Sequence, residues 1–436
     1  MKQNSLFVKN NVDICEQQCY YFYGDYSRMP YNYIEVMSMK DLKHMIFFEN
    51  LLRDANNELV SQAIGEGKRA LGYTCYFVPE VLLNLPGCFS VRLRAPGTSN
   101  TDIGTYYMTN KTCPFTRSIL ERSMEGGYDF LSVMLSSETC QMMHRAHEYF
   151  DIMGLVKDKN PDFFLTMMDV PFVTTKAAYE HYENQLRLHI LQPLERVYGI
   201  DVSDEELRTA IAEHNEICRI ISELGELRKL DNPPITGYEF HVLQLVSECC
   251  PQYLIKDKLK ETLREVKKRK TDIKPAYRVR LVVTGSEIDD PDFTKLLEDC
   301  GIYVAADRYC YGSLPGREEI EIREGESPLA AIARHYIDTS ECPRFMNAEK
   351  RLQRRSNIKR LVKDYNADGV LYLQMKFCEF WSYERVMGVH EMNDVEGIPC
   401  IGVEKEYTMA SAGQLRTRFQ AFVESIEIKK IQGGKM

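Results

Sequence analysis

Apolar and polar positions follow two rhythms along this chain, and each change of rhythm marks a change of element. From Leu71 to about Gly199, short strand-like runs such as FSVRLRA, FLSVML and FFLTMMDVP alternate with helical ones. That alternation predicts a parallel sheet with crossover helices. The stretch AAYEHYENQLRLHILQPLERVYGI has apolar residues at helical spacing and is expected to cover the sheet and lead out of it. At DVSDEELRTAIAEHNEICRIISELGELRKL the period becomes purely helical. Ser203 with Glu206 is expected to form a capping box there. Helical patterning continues to about Lys270, broken by a turn at Pro233 and Pro234. The basic run Lys267 to Lys270 reads as a solvated helix end, its cations near the negative pole of the helix dipole. After Pro275 strands return in YRVRLVVTGSEI and IYVAADRY, with Asp290 and Pro291 as N-cap and first residue of the helix between them. GVLYLQM and GIPCIGVEKEY supply two more strands, followed by helical segments.

The expected fold is therefore α/β: two parallel-sheet domains, a helical insert and an N-terminal helical arm. The boundaries are residues 1–68 for the arm, 69–199 for the first α/β domain, 200–274 for the helical domain and 275–436 for the second α/β domain. A chain of 436 residues, 44% hydrophobic, can bury cores of that number. No apolar stretch reaches the roughly 18 residues of a membrane span, and the first residues lack the apolar region of a signal peptide. The expectation is a cytoplasmic protein. Its 55 basic and 64 acidic residues give a net charge of −9, which does not favour nucleic acid as partner.

Fourteen cysteines without an export signal point to reduced thiols and metal or redox chemistry rather than a disulfide frame. Three of them stand where a strand or loop hands over to a helix: Cys113 in TCPFTRS, Cys140 in SSETCQMMHRAHEYF and Cys378 in MKFCEFW. In an open α/β sheet that is the carboxyl edge, where ligands bind. Helix N-termini or a metal favour thiolates there. Three such ligands can hold a 4Fe-4S cube and leave one iron open.

Other constellations are weaker. His144 and His147 stand at helical i and i+3 with Glu148, a spacing that could serve zinc, although zinc would require the cysteines to be otherwise employed. Cys15 and Cys19 lack a third ligand at a suitable spacing, and Cys249 and Cys250 fall in a helical pattern that suggests core packing. No GxxxxGK[ST] loop is present, so ATP is not expected on this chain. GxSxG and strand-linked GxGxxG motifs are absent too.

In order along the chain, GYTCYFVPEVL, CPFTRSILERS, DEELRTAIAEHNEICRIISELGELRK with PPITGYE, VVTGSEIDDPDFTKLLEDCG with VAADRYCYGS, DGVLYLQMKFCEFWSYE, and IPCIGVEKEY with GQLRTRFQAFVESI resemble successive blocks of a known family. It is the family of 2-hydroxyacyl-CoA dehydratase and benzoyl-CoA reductase subunits, of the 2-hydroxyglutaryl-CoA dehydratase D-component type. The resemblance runs from roughly Gly65 to Ile426.

It implies two flavodoxin-like domains with a helical domain, and a 4Fe-4S cluster on Cys113, Cys140 and Cys378. It also implies a homologous second subunit in a heterodimer, or a second copy in a homodimer, and an ATP-hydrolysing iron-sulfur activator protein. The implied reaction is radical elimination of water from a 2-hydroxyacyl-CoA to an enoyl-CoA, driven by a recycled low-potential electron. No catalytic base is assigned. Cys75 falls in the block that lines the substrate side in the family and reads equally as a site residue or an inert thiol. Cys310 and Cys342 matter because some relatives resemble double-cubane proteins, with an 8Fe-9S cluster that requires more cysteines. Glu80 and Arg117 are candidates to orient substrate or balance cluster charge, and Glu404, Gln414 and Arg418 belong to the last block. The alternatives are a related ATP-dependent reductase and a non-catalytic electron-relay subunit.

Overall fold

The computed structural model describes residues 41–98, 100–271, 277–312 and 318–433. Cys15 and Cys19, with most of the expected arm, lie outside the described residues. Two helices, α1 (Met45–Leu51) and α2 (Glu58–Gly65), precede the first sheet. Asn57 starts α2 by accepting hydrogen bonds from the amides of Leu59 and Val60.

The first sheet contains β1 (Arg69–Tyr73), β2 (Cys88–Arg92), β3 (Val133–Ser137) and β4 (Phe164–Met168). Between its strands run α3 (Asp102–Met108), α4 (Pro114–Met124) and α5 (Gln141–Ile152). After β4 come α6 (Lys176–Leu186), a π-helical turn at Arg187–Leu191, and α7 (Gln192–Tyr198). Three long helices follow: α8 (Asp204–Glu226), α9 (Gly237–Cys249) and α10 (Gln252–Lys268). The second sheet contains β5 (Val279–Gly285), β6 (Ile302–Tyr309), β7 (Gly369–Met375) and β8 (Cys400–Lys405). Its helices are α11 (Pro291–Asp299), α12 (Pro328–Asp338), α13 (Ala348–Asp364), α14 (Glu379–His390) and α15 (Ala412–Gly433).

Both sheets are parallel throughout, in the orders β2-β1-β3-β4 and β6-β5-β7-β8. The strand order reverses beside β1 in the first sheet and beside β5 in the second, so the carboxyl ends of β1/β3 and β5/β7 each flank a crevice. The two-sheet α/β architecture expected from the apolar rhythm is thus present. β3, β5 and β7 are buried along their whole length, which is why their sequences are mostly apolar rather than alternating.

One local expectation is corrected. Ser203 is the N-cap of α8 but makes no capping hydrogen bond with its side chain. Its amide donates to Asp201 Oδ1 at 2.9 Å instead, so an Asx-type turn organises this helix start. A capping box does form at α9, where Thr236 and Glu239 satisfy each other's amides. Asp290 caps α11 with Pro291 as first residue, as the sequence indicates.

Where the two sheets meet, the contact is polar and specific. Tyr311 donates to the carbonyl of Leu93 at 2.5 Å, and the amide of Ala95 donates to Tyr407 Oη at 3.0 Å. Arg94 Nε reaches the carbonyl of Asp289 at 2.8 Å. All these residues lie just beyond strand ends, so the two carboxyl edges are held face to face. Among the described residues, no helix is long and apolar enough to cross a membrane.

Candidate functional site

Cys113, Cys140 and Cys378 are the N-cap residues of α4, α5 and α14. None of the three side chains makes a capping hydrogen bond, but first-turn amides favour each thiolate: those of Thr116 and Phe115 at Cys113, Met143 and Met142 at Cys140, and Trp381 at Cys378. Burial pushes the Cys140 thiol up to about 11. It drives the Cys113 and Cys378 thiols up as well, and the thiols of this group add to the effect on one another. Left to themselves such thiols stay protonated at neutral pH, and a bound cationic centre would reverse that. Phe377, directly before Cys378, has φ +63°, a conformation that costs a bulky residue about 1–3 kcal/mol and is held only where its surroundings fix it.

A carboxyl that sequence reasoning missed stands among them. Glu287 is part-buried, and its field reaches Cys113, Cys140 and Cys378 alike. Burial raises its own pKa, and it shares a hydrogen bond with Cys310. The signal that would have found it is positional. β1 ends at Tyr73 and β5 at Gly285, so Cys75 and Glu287 occupy the same offset past equivalent strands. In the same way, Cys140 follows β3 and Cys378 follows β7 by equal offsets, each starting a helix.

Cys75, Cys310 and Cys342 form a second group. Burial raises the Cys310 thiol far above its ordinary value, with Glu287, Cys342 and Cys75 raising it further. Burial pushes Cys342 up to about 12, where the amide of Arg344 lowers it and nearby Cys75 raises it. Cys75 Sγ lies 3.3 Å from Thr139 Oγ1, next to Cys140 in sequence. The loop carrying Cys342 is tied down by Lys350, whose Nζ donates to the carbonyls of Ile337, Asp338 and Ser340. Each group takes thiols from both sheets: two from the first and one from the second in one case, one and two in the other.

Among the described residues, no three His, Cys, Asp or Glu side chains close around a single metal ion. A cube makes a different demand. Each thiolate binds its own iron, so the sulfurs stand apart around a larger object. Thiols drawn from both sheet edges, Cys113 buried and the other five part-buried, fit such a group.

The other sequence candidates are spread out. Glu80 lies in a buried network, with Oε1 2.5 Å from His214 Nδ1 and Oε2 accepting from Tyr336. Burial raises this carboxyl, but His214 outweighs it and holds Glu80 down at about 2. Behind it is a cavity of about 30 Å³, room for roughly one water, lined in part by Tyr73, Arg92, Cys218 and Glu248. Arg117 is buried, donating to Thr105 Oγ1 at 2.8 Å and Thr101 Oγ1 at 3.2 Å, with Glu406 3.7 Å away. Glu404 is half-exposed and accepts from Arg385, Gln414 is exposed, and Arg418 locks onto the carbonyl of Gly402. Glu404 and Arg418 are thus engaged on β8 and α15 rather than with the thiols. His144 turns to Glu148 at 3.7 Å, while His147 is buried against Phe150, where burial lowers its pKa to about 3 and keeps it neutral. The two imidazoles therefore have different surroundings. Cys249 and Cys250 are core residues.

Fold and site together define a two-sheet α/β protein with a thiol-lined crevice between facing carboxyl edges. The family model described as "2-hydroxyglutaryl-CoA dehydratase, D-component" matches residues 75–426, and the chain belongs to that family. It is similar to the (R)-phenyllactyl-CoA dehydratase beta subunit of Clostridium sporogenes, 24% identical over 87% of this chain and 97% of the relative. It is also similar to the (R)-2-hydroxyglutaryl-CoA dehydratase beta subunit of Acidaminococcus fermentans, 23% identical over 83% and 93%. A benzoyl-CoA reductase subunit of Thauera aromatica is 20% identical over 83% and 92%.

Proposed function

We propose that this chain is an iron-sulfur subunit of a low-potential enzyme of this family, and that its six crevice thiols hold two neighbouring cubes or the double-cubane cluster they would form. The observation that carries the reading is that all six thiols stand within electrostatic reach of one another in a chain: Cys113 and Cys140 act on Cys378, Cys140 on Cys113, and Cys75 on Cys140, Cys310 and Cys342, while the Glu287 carboxyl acts on Cys113, Cys140, Cys378 and Cys310. Bound iron-sulfur clusters would supply low-potential electrons and Lewis-acidic iron. The protein's own part is to gather the thiols at the two sheet edges, set three of them at helix N-termini and hold the Glu287 carboxyl beside them. On this reading the reaction is a reduction, fed by an ATP-hydrolysing activator protein that carries its own cluster. The second subunit is a homologue or another copy of this chain.

A second reading, dehydration of a 2-hydroxyacyl-CoA by a single cube on Cys113, Cys140 and Cys378, is favoured by the dehydratase relatives. Iron and acid-labile sulfide per chain after strictly anaerobic purification separate the two. About eight iron, reduced by Ser at any of the six cysteines, supports the double site. About four, lost only in variants of Cys113, Cys140 and Cys378, supports the dehydratase reading. No iron in the native protein overturns both.

A further inference from the structure

Across the ends of β1 and β3, two hydroxyls and a thiol stand in a hydrogen-bonded row. Thr139 Oγ1 is 3.3 Å from Cys75 Sγ and 3.1 Å from Ser137 Oγ. Ser137 is the last residue of β3, and the Thr139 amide donates back to its carbonyl at 2.7 Å, a tight turn that keeps the two hydroxyls side by side. Both side chains are buried, and Cys75 is part-buried.

While Cys75 is a thiol, the row has no fixed direction, because hydroxyl and thiol can each donate or accept. A thiolate changes that. A sulfur bound to iron has no proton to give, so Thr139 must donate to Cys75 Sγ and Ser137 in turn to Thr139. Both protons then point along the row towards the sulfur, and a hydrogen bond to a charged acceptor is stronger than one between neutral groups.

The second half of the molecule has no such row. Two residues past the strand end, β1 leads to Cys75 and β5 to Glu287, while β3 leads to Thr139 and β7 to Phe377. Phe377 has no hydroxyl, and an ionised Glu287 can only accept. Among the described residues, none of the other five crevice thiols hydrogen-bonds a side-chain hydroxyl, whereas Cys75 does.

We propose that Thr139, backed by Ser137, is a positioning residue that sets the reduction potential of iron bound through Cys75 by donating its hydroxyl proton to the ligand sulfur. The inference rests on the six-thiol reading, in which Cys75 is a ligand. Hydrogen bonds to cluster sulfurs are one of the levers on potential, and partners beyond the ligands tune a metal site. The sign follows from charge. Added electron density makes the sulfur a better acceptor, so the donor stabilises the reduced form more than the oxidised one and raises the midpoint.

The test is a redox titration followed by electron paramagnetic resonance on the anaerobically purified full chain, native against Thr139→Val, Thr139→Ser and Ser137→Ala, with iron and sulfide measured on each preparation. Valine keeps the branched shape and removes the hydroxyl, and serine keeps the hydroxyl. At native iron content, Thr139→Val should lower the midpoint by the equivalent of a threefold to tenfold change in the ratio of reduced to oxidised cluster, roughly 28–59 mV for a one-electron couple. Ser137→Ala should lower it less, and Thr139→Ser should stay near the native value. A native midpoint in iron-replete Thr139→Val, or equal falls in Thr139→Val and Thr139→Ser, overturns the proposal and leaves the six-thiol reading standing. Should Thr139→Val lose iron, Ser137→Ala decides, one step removed from the ligand: a midpoint that does not fall overturns the role of the row. About four iron per native chain, unaffected by Cys75→Ser, would end the six-thiol reading and this proposal together.

Discussion

At the scale of single residues, the Glu80–His214 pair shows how much a buried contact can matter. Burial alone would raise Glu80, but the neighbouring imidazolium holds it at about 2. His214 is in turn raised well above its ordinary value, because the Cys218 and Glu80 fields outweigh its desolvation. The signs follow. Glu80 contributes stability above its unfolded value of about 4.3 and loses it as pH falls towards 2, while His214 contributes below about 6.5 and loses it as pH rises through its elevated folded value. Between about pH 4.3 and 6.5 both contributions are complete. His214→Gln should destabilise the fold by about 3 kcal/mol, since it leaves a buried carboxylate without its cation. Urea unfolding at about pH 5.5 and about pH 8.5 checks this: the native chain should be less stable at the alkaline pH, and the variant should lose most of that difference. Equal loss at both pH values would show that the histidine only fills space. Neither partner's role was legible from the chain alone. Glu80 is a polar residue after a turn, and nothing local announces that His214, on a different helix, will cover it.

At the scale of elements, the same sequence signal succeeded at one helix and failed at another. Ser203 and Glu206 have capping-box spacing, yet Asp201 already satisfies the Ser203 amide and the reciprocal bond is not made. Thr236 and Glu239 make both bonds, and Glu239 also meets Arg269 at 2.8 Å. Thr236→Ala should therefore cost about 1 kcal/mol and Ser203→Ala only a few tenths. Paired denaturation midpoints would measure the difference, and equal losses would contradict this account of the two helix starts. Strands were more legible than caps, because β3, β5 and β7 are buried on both faces and are mostly apolar. The π-helical turn at Arg187–Leu191 left no such trace, since its residues read as ordinary helix.

The last residue of β5 ties this scale to the site. A Cβ on Gly285 would run into the backbone carbonyl of Leu373 on β7. Gly285→Ala must push apart the two strands whose ends carry Glu287 and Cys378. The expected outcome is lower iron content together with a loss of about 1–3 kcal/mol, read by iron analysis and urea unfolding of the same preparation. Unchanged iron content would mean that the crevice tolerates a shift between β5 and β7.

At the scale of the whole molecule, the arrangement is two similar halves facing each other. Strand order, helix-starting cysteines and the shared offset of Cys75 and Glu287 repeat between the sheets, and each thiol group borrows one cysteine from the opposite half. Cys113, Cys140 and Cys378 could be singled out from their handover positions. Cys75, Cys310 and Cys342 could be set apart as possible further ligands, but the nearness of Cys342 to Cys75 could not be read, because Cys342 stands in a loop with no strand to count from and comes close only after α12 and α13 have packed. On the proposed cluster reading, ligation drawn from both halves predicts that bound iron would hold them together as well as serve chemistry. Metal binding by residues that meet only in the folded state adds its free energy to folding. Removing iron with an anaerobic chelator should lower Tm, with the effect concentrated at the seam. Amide hydrogen exchange should accelerate at Ala95 and the neighbouring strand ends, where Tyr407 and Tyr311 bridge the sheets, more than within β3 or β7. Uniform acceleration over both sheets would show instead that the cluster supports each core separately. No change on complete iron removal would leave the polar contacts of Arg94, Tyr311 and Tyr407 as the bond between the halves.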